Sequence, residues 1–405
     1  MNPPPPYPLF SAYGIELEYA IVACDGLDVL PIADRYLAQA AAGEEAPALL
    51  DWSNEIVEHV IEVKNPRPQA LALLPTAFQE AVRTMNRRLR ASAAQLMPSA
   101  MHPWMRPAAE TQLWSHGQTE IYEAFDRIFD CHRHGWSNLQ SMHINLPFAS
   151  AAEFAQLHAA LRLALPILPA LAASSPVADG AVTGFADTRM EVYRSNSSAI
   201  PEITGAVIPE PVTGPADYRA RILQPMYRAI APFDPDRILR HEWLNARGAI
   251  ARFERNAIEV RVVDMQECPQ ADIAIAAAVV ALTKALYRRL ADTGAAFATA
   301  RLARVLQACV RDAERAVVDD AGYLALWDFP AARCTAGELW QHLIETLPAG
   351  ELGAAERHAL DVMLRHGPLA RRILRALDGD TGRPRLRAVY QDLCDCLQDG
   401  RQFLN

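Results

Sequence analysis

The stretch Tyr13-Gly-Ile-Glu-Leu-Glu-Tyr-Ala-Ile-Val22 decides the fold class. Side chains on a strand alternate between faces, so this run places Glu16 and Glu18 on one side and Ile15, Leu17 and Tyr19 on the other. One face is built to be buried. The opposite face carries two neighbouring carboxylates, an arrangement that repels itself unless something neutralises it.

Three further segments repeat the pattern. In Glu55-Ile-Val-Glu-His-Val-Ile-Glu-Val-Lys64, one face holds Glu58, Val60, Glu62 and Lys64, and the other Val57, His59, Ile61 and Val63. Ser141-Met-His-Ile-Asn-Leu-Pro-Phe148 sets Ser141, His143 and Asn145 against Met142, Ile144, Leu146 and Phe148. The run Arg252 to Asp264, read as one strand, puts Arg255, Glu259 and Arg261 opposite Ile258, Val260 and Val262. Any one of these strands is explained by a solvated polar face. Four polar faces, three of them bearing acids and one of those arginines as well, together suit a divalent cation better. Magnesium takes oxygen ligands and keeps positions for water and phosphate, while arginines grip phosphate oxygens in pairs.

Around these strands the chain reads as α+β. From Tyr13 to about Asp264, strand-like runs alternate with Pro- and Gly-punctuated loops and a few helices. Ala70 to Leu96 is expected to be helical with arginines 83, 87, 88 and 90 outward, and Ala151 to Ala173 helical with a kink near Pro166; both are expected to back a sheet. Residues 270–291, 298–317, 335–347, 353–377 and 386–399 form a helical C-terminal layer, broken at Gly294, Pro348–Gly350 and Asp378–Pro384. Gly184 to Thr213 is expected to be a long loop that covers or lines a site, with Arg189, Tyr193 and Arg194 available to a substrate carboxylate.

Composition removes several functions. With Asp+Glu 48 against Lys+Arg 39 the net charge is -9, so there is no overall basic field for nucleic acid or an anionic membrane. Lysine occurs only at Lys64 and Lys284, and neither stands in a Walker A loop; G-x-G-x-x-G after a strand, G-x-S-x-G and H-E-x-x-H are also missing. The apolar stretches Leu161–Ala173 and Ile273–Leu282 fall short of a clean membrane span and read as buried helices. Seven scattered cysteines and a proline-rich start without a secretory pattern point to the cytoplasm. Cys131-His-Arg-His134 packs its donors too closely for a standard zinc site, and Cys394 and Cys396 diverge on one helix. Trp52, Trp104, Trp114, Trp136 and Trp243 read as buried anchors, with stacking on adenine or substrate as the alternative.

G-I-E-L-E at 14–18, the strand ending at Glu62 and Lys64, H-x-N at 143–145 and the I-E-V-R strand ending at Arg261 together resemble the glutamate-cysteine ligase family, in its bacterial carboxylate-amine ligase branch. M-H-P-W at 101–104, D-C-H-R-H-G-W-S-N-L-Q at 130–140 and G-P-L-A-R-R-I at 367–373 add to the resemblance.

The resemblance implies a curved antiparallel sheet with helices on its convex side, akin to the glutamine synthetase catalytic domain, and a concave face for ATP and two or three Mg2+ ions, with Mn2+ as a substitute. Glu16, Glu18, Glu62 and Glu259 then match metal ligands, with His143 beside them. Asn145 stands where relatives carry a second histidine and is assigned to substrate. Arg252 and Arg261 fall where cations meet phosphates or the acyl group, Lys64 and Arg255 join Arg261 on the nucleotide, and Arg189 is assigned to substrate. Residues 9–290 would form the catalytic domain and 291–405 a helical extension packed on it. The implied reaction joins a small-molecule carboxylate to an amine through an acyl phosphate, most simply glutamate with cysteine or another small amine. A phosphotransferase on the same fold and a noncatalytic nucleotide- or metal-binding partner protein are the alternatives, and a homo-oligomer is compatible with the helical layer.

Overall fold

The structure is a computed structural model that describes residues 7–41, 49–293 and 297–404. Gly294, the expected helix break, and most of the proline-rich start lie outside the described residues.

Seven strands form one sheet, antiparallel throughout: β1 (Gly14–Ala23), β2 (Asp51–Asn54), β3 (Val60–Lys64), β4 (Ala94–Met97), β5 (Ser141–Pro147), β6 (Ala249–Arg252) and β7 (Ala257–Asp264). Their order is β2-β3-β1-β5-β7-β6, with β4 paired to the far end of β1. Register does the assembling. Glu18 lies opposite Glu62, Glu16 opposite His143, and Asn145 opposite Glu259, so polar residues distant in sequence share one face of the central strands.

The other face is apolar. Ile15, Leu17, Tyr19, Ile61, Val63, Met142, Ile144 and Ile258 are buried in one core with Phe78 and Met85 of the helix Leu74–Leu89, Phe154 and Leu161 of Ala151–Ala164, and Ile275 and Val279 of Pro269–Thr293. Ala151–Ala172 and Pro269–Leu290 are longer apolar stretches than the sequence suggested, long and apolar enough to cross a membrane by length and composition. Of the 18-residue apolar run within each, 83% and 78%, respectively, is buried inside the protein.

Several sequence expectations are corrected. The second run is not one strand: β3 begins at Val60, and Glu58 leaves the acid face to accept hydrogen bonds from Ser115 N and Oγ, both at 3.3 Å. The run Arg252–Asp264 is a hairpin, closed by a short helical turn at Phe253–Arg255 and by Asn256 in the left-handed region at φ 51°. Asn tolerates that conformation where most residues do not. Arg255 therefore sits in the turn. The register shifts between Met142 and Ile144 of β5 where they meet β7, a bulge that re-aims side chains beside His143.

The Ala70–Leu96 helix ends at Leu89, and the chain enters β4 after Ala93 takes a left-handed φ of 50°. The kink near Pro166 appears as the turn Leu165–Ile167 between helices Ala151–Ala164 and Leu168–Ala172. Residues 353–377 are two helices, Ala354–His366 and Leu369–Leu377, broken at Gly367 (φ 83°) and Pro368. The C-terminal helices continue the core: Leu302, Tyr323, Trp340 and Leu360 join the main cluster, while Tyr390 and Leu393 pack with Val22, Met97 and Trp104.

Candidate active site

A cavity of about 560 Å³ opens over the polar face of the sheet. Its wall includes Glu16, Glu18, Glu55, Glu62, Lys64 and His143 on one part, and Arg189, Arg252, Arg255, Glu259 and Arg261 on another.

Strand periodicity places the acids, and hydrogen bonds fix their directions. Glu16 Oε2 accepts from His143 Nδ1 at 3.0 Å, and its Oε1 accepts from Asn145 Nδ2 at 3.2 Å. Glu18 Oε2 accepts from Ser141 N at 2.7 Å and Ser141 Oγ at 3.1 Å, and Glu18 Oε1 lies 3.6 Å from His143 Nε2. Glu62 Oε1 accepts from Ser53 Oγ at 2.7 Å and from Lys64 Nζ. Two groups of donor atoms result, Glu16 with Glu62 and His143, and Glu18 with Glu55 and Glu62; within each, the donor atoms lie within 4.8 Å of one another. Glu62 belongs to both.

The electrostatics follow from crowding. Burial and the charge of Glu16 push the Glu62 carboxyl up to about 7, against the pull of Lys64. Burial, Glu18 and Glu62 push Glu55 well above the usual carboxylate range. Glu16 goes the other way: burial raises it, but the hydrogen bond and charge of His143, with Lys64 and Arg255, hold it below that range. For His143, burial opposes the charged ring, and the hydrogen bond to Glu16 and the charge of Glu18 outweigh it and raise its pKa. Four glutamates offer hard oxygen donors and His143 one ring nitrogen, with Glu55 and Glu62 shifted upward by burial and neighbouring charge; the oxygens are of the kind that suits Mg2+ or Mn2+.

The arginines form the other part. Arg252 Nη1 donates to Glu259 Oε2 at 2.8 Å, and Arg261 Nε lies 3.1 Å from Glu259 Oε1, so two guanidinium groups share this buried carboxylate. Arg255 Nη1 is 3.7 Å from Glu16 Oε1 and half exposed. Arg189 is buried, its Nε donating to Asp264 Oδ1 at 2.5 Å. Asn145 keeps its amide oxygen without a hydrogen-bond partner among the described residues.

Thus Glu16, Glu18, Glu62 and His143 meet as a group, while Glu259 shares the cavity but stands with the arginines. Lys64 faces Glu62. Glu55 was missed in the sequence because it precedes β3, where a period of two says nothing about direction. Tyr122, Phe125, Trp136 and Trp243 also line the cavity, with Phe125 centred 5.2 Å from Trp136 and 5.9 Å from Trp243; their sequence spacing carries no sign of this. The Gly184–Thr213 segment contains the helix Thr188–Tyr193, which brings Arg189 and Tyr193 to the wall.

Away from the cavity, His132 lies 3.2 Å from Asp126 and His134 3.1 Å from Asp179, and burial pushes the Cys131 thiol up, away from thiolate chemistry. Asp126, Asp130 and His132 form a third, partly exposed group of donor atoms. Cys394 and Cys396 are buried free thiols.

The antiparallel sheet carries helices on one face and an acid- and arginine-lined cavity on the other, and the family that this chain matches is one of ligase enzymes. The family model of glutamate-cysteine ligase family 2 matches residues 12–392, and the chain belongs to that family. It is 34% identical over 276 residues to an uncharacterized protein of Archaeoglobus fulgidus, covering 67% of this chain and 74% of that one. A putative glutamate-cysteine ligase 2 of Leifsonia xyli is 26% identical over 195 residues, 47% of this chain and 48% of the relative. Among solved structures, the glutamate-cysteine ligase of Francisella tularensis in complex with AMP superposes with a TM-score of 0.60 at 12% identity, covering 96% of this chain and 89% of its own. The bifunctional glutathione synthetase of Pasteurella multocida gives 0.54 at 14% identity; the match covers 94% of this chain and about half, 51%, of that one.

Proposed function

We propose that the protein is an ATP- and Mg2+-dependent carboxylate-amine ligase that forms an amide bond through an acyl phosphate. The observation that carries this reading is the meeting of Glu16, Glu18, Glu55, Glu62 and His143 in one cavity whose wall also holds Arg252, Arg255 and Arg261. The reading takes two or three cations there, and the sharing of Glu62 between two groups of donor atoms supports more than one. Bound there, Mg2+ supplies neutralisation of phosphate charge.

The chain's own residues bind and orient. In this reading Arg252, Arg261, Arg255 and Lys64 take phosphate or acyl oxygens, Glu259 completes the acid set while sharing its charge with two arginines, and Asn145 and Arg189 bind the substrate. No protein nucleophile is required, because alignment and charge neutralisation account for most of the rate in phosphoryl transfer. The same reading takes the acid-lined face as the concave side of a curved sheet, residues 9–290 as the catalytic body with 291–405 as its helical support, and the cytoplasm as the place of action. Glutamate with cysteine or another small amine is the simplest substrate pair.

The test incubates the protein with ATP, Mg2+ and pools of amino acids and amines, scoring ADP and new amide masses. ADP release that depends on an amine, with a matching amide, supports the ligase. Release at full rate without an amine shifts the reading to the phosphotransferase.

A further inference from the structure

Arg189, Tyr193 and Ser197 stand four residues apart, on the helix Thr188–Tyr193 and the turns that continue it. All three line the cavity over the sheet. In each, one polar side-chain atom is sealed from solvent and lacks a hydrogen-bond partner among the described residues: Arg189 Nη2, Tyr193 Oη and Ser197 Oγ. Arg189 and Ser197 are each only 1% exposed. A buried donor left unpaired costs about 1–3 kcal/mol, so three on one segment of the cavity wall would gain from an occupant that reaches them.

The segment is built to hold that register. Arg189 Nε donates to Asp264 Oδ1, Nη1 donates to Arg261 O at 3.3 Å, and Arg189 N donates to Ser175 Oγ at 3.1 Å. Asp264 is itself fixed by Ser174 N at 2.8 Å and Ser175 Oγ at 2.9 Å. With two of its nitrogens committed, the guanidinium keeps Nη2 in reserve. At the other end, Asn196 Nδ2 donates to Gly135 O and Trp136 Nε1 donates to Asn196 O at 3.4 Å, latching the turns onto the helix His134–Ser137.

We propose that Arg189, Tyr193 and Ser197 form a single edge that holds an anionic oxygen group of a ligand, with Asp264 as the positioning residue for Arg189. The chemistry is one cation and two hydroxyls converging, which suits a carboxylate or a phosphate. The inference rests on the ligase reading for treating this cavity as the place where substrates bind.

Calorimetry on the full chain tests it with three probes: L-glutamate, a nonhydrolysable Mg2+-ATP analogue and inorganic phosphate. Tyr193→Phe and Ser197→Ala remove a hydroxyl without changing the fold's apolar contacts. Each is expected to weaken the same probe about tenfold, the yield of one lost charge-assisted bond, while Mg2+ binding alone stays unchanged. A shared loss for glutamate assigns the edge to the acid, and a shared loss for the nucleotide or phosphate assigns it to a phosphoryl group. Asp264→Asn is expected to weaken that same probe, and the Asp264→Asn/Arg189→Gln double variant no further than Arg189→Gln alone. Wild-type affinity for every probe in both hydroxyl variants, or a wild-type chain that binds none of the three, overturns the edge. Amide formation failing while the probe losses appear as expected would instead strike the ligase reading.

Discussion

Arg252 and Glu259 face each other diagonally across the β6–β7 hairpin, Nη1 to Oε2 at 2.8 Å, with the carboxylate 1% exposed. The turn at Phe253–Asn256 makes this contact: it folds two residues seven apart in sequence onto one face. Arg261 takes the second oxygen of Glu259 at 3.1 Å. Removing one partner of a buried pair leaves a charge without compensation. Arg252→Met is therefore expected to lower unfolding free energy by about 3 kcal/mol, the lower end for such a loss because Arg261 remains. Urea denaturation in EDTA measures it, and a change under about 0.5 kcal/mol, the range of an ordinary surface substitution, would refute the pairing.

Glu16 and Glu62 carry opposite expectations although both sit in the acid cluster. Glu16 is held ionised by His143, so its charge stabilises the metal-free fold; Glu62 is pushed up to about 7 by burial and Glu16, so its charge strains that fold at higher pH. At pH 8, Glu16→Gln is expected to destabilise the metal-free protein and Glu62→Gln to stabilise it, each by about 1 kcal/mol. Both are expected to weaken Mg2+ at least about tenfold, a loss of about 1.4 kcal/mol in binding. Thermal melts with and without Mg2+ read both signs, and equal shifts in one direction would remove the distinction.

How much of this was legible in the sequence depends on local geometry. Glu16, Glu18, Ile15 and Leu17 could be sorted to faces because β1 is unbroken and its alternation holds from Gly14 to Ala23. Glu58 and Glu55 escape the period of two because both precede β3, which begins at Val60 after a turn. The β6–β7 turn contains neither Gly nor Pro, and its one signal, Asn256, is weak by itself. Cross-strand register, which sets Glu18 opposite Glu62, arises from pairing between segments more than forty residues apart, and the residues of a single strand do not encode it. The wall formed by Tyr122, Trp136 and Trp243 depends on how the helices Thr119–Phe129 and His134–Ser137 and the turn Glu242–Leu244 pack together over the sheet.

His158 supplies a pH dependence outside the cavity. It is 1% exposed on the helix Ala151–Ala164, centred 5.7 Å from Phe154 and 5.5 Å from Tyr218, and neither ring nitrogen has a hydrogen-bond partner among the described residues. Burial lowers its pKa to about 3, helped by the charges of Arg162 and Arg247. The unfolded chain, with an ordinary value near 6.5, binds the proton first as pH falls. The stability linked to neutral His158 is therefore fully present above about 6.5 and is lost progressively from there towards 3. His158→Leu removes the titration. Its stability relative to wild type is expected to rise as pH drops from 7 to 4.5, by up to about 1.4 kcal/mol per unit. Denaturant midpoints at three pH values measure the difference, and a pH-independent offset would show that His158 does not carry the effect.

Arg372 and Glu267 form an ion pair with no exposure on either side, and the chain's end is built into it: Arg372 Nη1 also donates to Phe403 O at 2.8 Å, and Phe403 N donates to Glu267 Oε1 at 3.2 Å. The pair thus ties the segment after β7, the helix Leu369–Leu377 and the last residues into one knot, with the Phe403 ring buried beside it. Coulomb attraction alone rarely outweighs the desolvation of two buried charges, whereas breaking one partner is costly. Arg372→Met is accordingly expected to cost about 4 kcal/mol, because Glu267 loses its charged partner and keeps only the Phe403 N–H while the Phe403 carbonyl loses its Arg372 donor. The Arg372→Met/Glu267→Leu double variant is expected to recover most of that loss, since the uncompensated charge goes with the second substitution. Chemical denaturation of the two singles and the double separates the outcomes. A double variant as unstable as the worse single would mean that the backbone bonds of Phe403, and not the buried charge, dominate this junction.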